Sequence, residues 1–110
     1  MERRRYRRYQ LRFEIEVRDL DNKIPLRAAT VDISLGGCYV DTLFPLPIGR
    51  RIEFVLRVGN EPIRAQGTVH TCHPGVGMGI EFDDLPQVTK DLINHYLCSS
   101  IAGPAWAPTR

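Results

Sequence analysis

The chain has 110 residues, 43% hydrophobic and 25% charged, with a net charge of +2. That length fits one domain around a single core and excludes a typical catalytic domain carrying its own cofactor fold. No apolar run approaches the roughly 18–20 residues of a membrane span, and the charged N-terminal stretch lacks the apolar segment of a secretory leader, so a cytoplasmic protein is expected.

Charge is unevenly spread. Residues 1–12 hold six Arg against one Glu, a balance of +5 that leaves −3 for the rest. A basic arm on a mildly acidic body calls for an anionic partner. Residues 1–10 are aperiodic and are predicted to form a flexible arm. From Leu11 the pattern changes: Leu11, Phe13, Ile15 and Val17 alternate with Arg12, Glu14, Glu16 and Arg18, which predicts a strand with one wet face. Asp19–Asn22 reads as a turn, and Ile24–Ser34 as the second strand. In an ideal register Leu26, Ala28, Thr30, Asp32 and Ser34 share a face, so the two polar groups would extend an apolar face out to the rim. A bulge would change that assignment.

Gly37–Thr42 reads as the third strand. Leu43–Gly49 is a connection, because Pro45 and Pro47 cannot donate to a ladder, and its apolar residues are expected to cap one end of the core. Arg50–Val58 alternates again. Gly59-Asn60 signals a hairpin, followed by a fifth strand over Ile63–His73 in which Gly67 marks a bend. Pro74–Gly77 is a turn and Met78–Phe82 a short sixth strand. Helix signals then begin: Asp84 as cap, Gln87 three residues on, and Pro86 in the first turn. Leu85, Val88, Leu92, Ile93, Tyr96 and Leu97 recur at helical spacing. Residues 99–110 have no period and are predicted to be a flexible tail, Trp106 included. The expected organisation is thus an arm over 1–10, a folded domain over 11–98 and a tail over 99–110. Six short, mostly hairpin-linked strands imply an all-β, six-stranded antiparallel barrel with a C-terminal helix, although periodicity alone does not separate a barrel from a small sandwich.

The informative stretch is Asp32-Ile-Ser-Leu-Gly-Gly-Cys-Tyr-Val40, with the run Arg3-Arg4-Arg5-Tyr6-Arg7-Arg8 upstream of it. Asp32 and Ser34 offer a carboxylate and a hydroxyl. Gly36 and Gly37 allow another molecule to approach the backbone. Arg4-x-x-x-Arg8 followed by Asp32-x-Ser34-x-x-Gly37 resembles the signature pair of the PilZ domain, a family of bacterial receptor modules for cyclic di-GMP. The resemblance covers roughly residues 2–98. It implies a six-stranded barrel, no cofactor and no enzymatic activity, and cyclic di-GMP as the ligand. Arg4 and Arg8 would clasp the nucleotide, while Asp32, Ser34 and Gly37 would form its platform on the barrel. Family members with one more Arg before the motif tend to take up an intercalated ligand pair, and Arg3 holds that place here. His70 sits near a fifth-strand position that sometimes adds a stacking contact.

The residue chemistry fits that ligand. Arg binds guanine O6 and N7 bidentately, pairs with phosphate and stacks on flat rings, whereas the arm contains no Lys. In an extended arm Arg4 and Arg8 share a face about 13 Å apart. The crowded run also allows an Arg3-x-x-x-Arg7 register. The ligand-bound arm is expected to fold over the nucleotide and change the surface shown to a downstream partner protein.

Other chemistries have weaker support. Three cysteines without a CxxC predict reduced thiols. Cys72-His73 with His70 and His95 lacks metal-ligand spacing. Gly75-Val-Gly-Met-Gly79 follows a turn and leads into a strand, not the helix that a phosphate loop requires. The rival readings are a ligand-independent adaptor of the same fold and a small nucleic-acid-binding barrel. The second is disfavoured because no strand clusters basic residues.

Overall fold

A computed structural model describes residues 6–21, 24–59 and 61–102. Arg3, Arg4 and residues 103–110 fall outside the described residues. Seven elements occur in order: β1 (Glu14–Asp19), β2 (Pro25–Ile33), β3 (Gly37–Asp41), β4 (Arg51–Val58), β5 (Glu61–His73), β6 (Gly77–Phe82) and α1 (Gln87–Ala102). The strands are all antiparallel to their neighbours and close in the order β1-β2-β3-β6-β5-β4. This is the expected six-stranded barrel with one C-terminal helix, and its closure excludes the sandwich that alternation alone would equally allow.

Alternation drives closure. Ile52, Phe54, Leu56 and Val58 of β4 point inward and are buried, while Arg51, Glu53 and Arg57 face out. Ile15 and Val17 of β1 do the same, and the Phe54 and Phe82 rings stack at 4.9 Å between centroids. β5 pairs with β4 over Glu61–Thr68 and with β6 over Gly67–His73. The predicted bend at Gly67 therefore coincides with the changeover between neighbours. A closed sheet has no free edge to pair with another chain.

The antiparallel order puts the β2–β3 turn, the end of β6 and the β4–β5 turn at one end of the barrel. Helix α1 covers that end, with its Ile93 and Leu97 and the preceding Leu85 in the core and Tyr96 lying over Gly59. The helix begins later than predicted. The Pro86 carbonyl accepts from the amides of Thr89 and Lys90, both at 3.0 Å, so Pro86 rather than Asp84 stands at the start. Gln87 spends its side chain on Asp91 at 2.9 Å and closes no capping box. With that start, Val88 turns away from the barrel and is 73% exposed, so it leaves the predicted stripe. The helix also runs to Ala102, into the stretch predicted as tail.

The opposite end carries the β1–β2 turn, the β3–β4 connection and the β5–β6 turn. The connection caps the core only through Leu46, whose amide points at Met78 Sδ. Leu43, Phe44 and Ile48 were expected to help but remain exposed. Pro45 and Pro47 fix φ within this segment and donate no backbone hydrogen bond from it. No helix of the described residues is long and apolar enough to cross a membrane.

Candidate functional site

The site grows from a break in β2. Its register with β3 runs Thr30↔Val40 and then Asp32↔Tyr39, leaving Val31 as an extra residue. Such a bulge points two successive side chains outward. Val31 and Asp32 consequently face out, while Thr30 and Ile33 are fully buried. The predicted continuous face from Leu26 to Ser34 is corrected by this bulge: Asp32 does not continue the row of Leu26, Ala28 and Thr30.

Thr30 organises what lies beside the bulge. Its hydroxyl accepts from the Phe13 amide at 2.8 Å and donates to the Leu11 carbonyl at 2.7 Å. Its own amide donates to the Phe13 carbonyl at 2.9 Å. Leu11–Phe13 are therefore a lead-in held by Thr30, and the first strand starts at Glu14 rather than Leu11. Further upstream, Tyr9 and Ile33 exchange both backbone hydrogen bonds, at 2.8 and 2.9 Å. The predicted arm is thus docked against the end of β2 over its described part. This docking sets Arg8 beside Asp32, where Nη2 meets Oδ1 at 2.5 Å with both side chains more than two-thirds covered. Arg7 takes a different environment, with its guanidinium 5.2 Å from the Tyr9 ring centre.

The β2–β3 turn follows. Ser34 is 4% exposed, and its Oγ accepts from the Gly36 amide at 3.0 Å. Its amide donates to the Gly37 carbonyl at 2.8 Å. Much of the hydroxyl's capacity therefore goes into shaping the turn. The two glycines divide their work. A Cβ on Gly37 would collide with the Ile80 carbonyl oxygen, so this glycine permits β3 and β6 to close up. Gly36 opens outward, but the Tyr6 ring covers it: a Cβ there would stand 2.9 Å from Tyr6 Cδ2.

A second bulge delivers His70. The β5–β6 register runs Val69↔Ile80 and then Thr71↔Gly79. The extra residue, His70, turns out to solvent with Nδ1 2.7 Å from Thr71 Oγ1 and its Nε2 side over Gly79.

These pieces surround one cavity of about 290 Å³. Arg8, Ser34, Gly36, Gly37 and His70, all singled out in the sequence, line it. Asp32 does not line it and acts on it through Arg8. Tyr6, Glu81 and Lys90 also line it and were missed by the sequence reading. Tyr6 had a signal, an aromatic inside an arginine run; Glu81 and Lys90 had none, since only the fold brings β6 and α1 to the turn. Two further carboxylates lie on the wall. Asp83 is held by Arg51 through bonds of 2.7 and 3.1 Å, and the fully exposed Asp84 is 3.9 Å from Lys90.

The Cys38 thiol is pushed up to about 12, chiefly by burial and in part by the Asp32 carboxylate, with Arg8 acting in the opposite direction. Cys38 is therefore an inert, protonated core group. Among the described residues no three His, Cys, Asp or Glu side chains converge as metal ligands do. Gly75 lies in the β5–β6 turn and Gly79 in β6, as the sequence reading had it, whereas Gly77, read as the last residue of the turn, already belongs to β6 and pairs with Asp41 and His73.

A family model described as PilZ domain matches residues 2–98. Among solved structures, the chain is similar to the Bacillus subtilis inhibitor of motility MotI/DgrA, with TM-score 0.74 and 14% identity over 91% of this chain and 52% of that one. It is similar to the PilZ domain of YcgR from Escherichia coli, solved with c-di-GMP, with TM-score 0.74 and 18% identity over 89% of this chain and 91% of that one. It is also similar to the K. pneumonia MrkH–c-di-GMP complex, with TM-score 0.74 and 21% identity over 92% of this chain and 53% of that one. The chain spans about half the length of the MotI/DgrA and MrkH chains. No curated protein matches its sequence.

Proposed function

This chain belongs to the PilZ domain family, and on that premise we propose that it is a non-enzymatic cytoplasmic receptor for cyclic di-GMP that signals to a partner protein. The observation that carries the reading is the convergence of Arg8, Ser34, Gly36, Gly37 and His70 on one cavity, with Asp32 holding the Arg8 guanidinium at its mouth. Two structural neighbours are c-di-GMP complexes, which supports the same ligand here.

The roles follow from chemistry. Arg8 enters binding already aimed, because Asp32 fixes one edge of its fork and leaves other N–H groups for phosphate or guanine. Preorganisation of this kind reduces the side-chain ordering that binding costs. Arg4 is the second half of the clasp. The docking of Tyr9 against Ile33 favours the Arg4/Arg8 register over Arg3/Arg7, since Arg8 is the arginine at the cavity and Arg7 is not. Arg3 would support an intercalated ligand pair. A cavity of about 290 Å³ sits at the lower edge of small-molecule sites, so it would take one part of the nucleotide while the arm covers the rest. Reordering is then confined to the chain before Tyr9, and the changed surface is what a partner reads.

The test is calorimetric titration of cyclic di-GMP into wild type, Arg8→Ala and Arg4→Ala, with GTP as competitor. Wild type should bind saturably and resist GTP, and Arg8→Ala should bind about 100-fold more weakly. A stoichiometry near two would support the role given to Arg3. Absence of binding by wild type would leave a ligand-independent adaptor of the same fold. A nucleic-acid interface is disfavoured because Arg12, Arg18, Arg50 and Arg51 of the body each lie within 4 Å of a carboxylate.

A further inference from the structure

Lys90 stands where a lysine has little reason to be. It is three residues before Ile93 and seven before Leu97, the two residues through which α1 enters the core. That spacing puts Lys90 on the barrel-facing side of the helix. Its side chain is accordingly 25% exposed and lines the same cavity as Arg8. It also lies in the opening turn of α1, where the helix dipole disfavours a cation and no acidic residue balances it. Its recorded partner is weak: Asp84 is 3.9 Å away and fully exposed, so water screens the pair. The arginine across the cavity, Arg8, is already engaged by Asp32 at 2.5 Å.

A lysine whose side chain is three-quarters covered, lining a polar cavity, opposed by the dipole and loosely paired, is relieved by an anion in that cavity. The same anion also gains from the amide groups that α1 turns toward its start. We propose that Lys90 is a ligand-binding residue that contacts a phosphate of the nucleotide, making the first turn of α1 part of the site. This rests on the receptor reading above and adds to it a third element, beyond the arm and the β2–β3 turn. Occupancy would then restrain α1 directly, through a side chain rigidly joined to Ile93 and Leu97.

The experiment compares cyclic di-GMP binding by wild type, Lys90→Gln, Lys90→Arg and Asp84→Asn, with amide exchange of α1 recorded for each with and without ligand. Lys90→Gln should bind about tenfold more weakly, as loss of one charge-assisted contact predicts. Lys90→Arg should recover most of that loss. Asp84→Asn should bind about twofold more tightly, because it frees Lys90 and removes a like charge from the wall. Ligand should slow exchange of the amides from Lys90 to Ile93 in wild type and not in Lys90→Gln. Binding by Lys90→Gln within twofold of wild type, with the same protection of α1, would overturn the assignment while leaving the receptor reading intact. No binding by wild type would overturn both.

Discussion

Along β1, β4 and the first part of β5 the ladder runs unbroken, from Glu14↔Arg57 to Asp19↔Ile52 and from Arg51↔Thr68 to Val58↔Glu61. Along β2 and the second part of β5 the register slips once in each, at Val31 and at His70. The regular half has its own groove, about 380 Å³, lined by Glu14, Glu16, Arg27 and Arg57. Its charges face one another across the strands, Glu16 opposite Arg27 and Glu14 opposite Arg57, and so balance internally. The irregular half gathers its polar groups around a cavity and leaves Lys90 and His70 turned toward it. One half specifies the barrel, and the other departs from regular geometry around the candidate site, the usual place for such departures.

The largest test of that division is Phe54→Ala. Phe54 is 1% exposed and stacked on Phe82, so truncation should cost about 3–5 kcal/mol. Urea denaturation should show both halves lost in one transition at lower urea. A loss under about 1 kcal/mol would mean that the regular half does not carry the fold.

Thr30→Val should cost less, about 2 kcal/mol, because it strands the Phe13 amide and the Leu11 carbonyl while keeping the shape of the side chain. Its effect should be local as well as global. Amides of Tyr9, Phe13 and Ile33 should gain exchange rate before those of β4, and cyclic di-GMP affinity should fall with them. Equal loosening of β4 would erase the distinction between the halves.

The same division explains what the sequence made legible. The alternation of β4 is set by which face meets the core, and it survives into the structure at every position but Val55, which is covered although it lies between the inward-facing Phe54 and Leu56. The site face was misassigned because a bulge at Val31 arises from pairing with β3 and leaves no mark on period-two alternation. Arg8, Asp32 and His70 could be singled out because their chemistry is visible in one dimension. That Gly37 faces inward onto the Ile80 carbonyl, and that Lys90 reaches the cavity, depends on β6 and α1 arriving from more than 40 residues downstream. The helix start shifted to Pro86 because its carbonyl, rather than the Asp84 side chain, meets the first free amides.

The smallest expected effect concerns the thiols. Cys38 is buried in the irregular half and Cys98 is exposed on α1. A maleimide or disulfide reagent at pH 8 should modify Cys98 first and Cys38 only on unfolding. The folded state raises the Cys38 value from 9.0 to about 12, so it favours the neutral thiol. The resulting stability is full below pH 9 and is lost as pH rises from 9 towards 12. Rapid labelling of Cys38 in the folded protein would show that the bulged side of the barrel opens far more readily than its packing indicates.

The pairing of β3 with β6, Gly37 opposite Glu81, has a consequence for how the protein comes into being. The β1–β2, β2–β3, β4–β5 and β5–β6 pairs join neighbours in the chain, but β1 must find β4 and β3 must find β6 across two intervening strands each, which makes barrel closure the slow event. The cavity needs Tyr6 from the start of the chain, Gly36 from its first third and Lys90 from near its end. On the proposed reading, a chain still being synthesised would have no complete cavity until α1 has formed, so ligand would stabilise the finished barrel rather than template early folding steps.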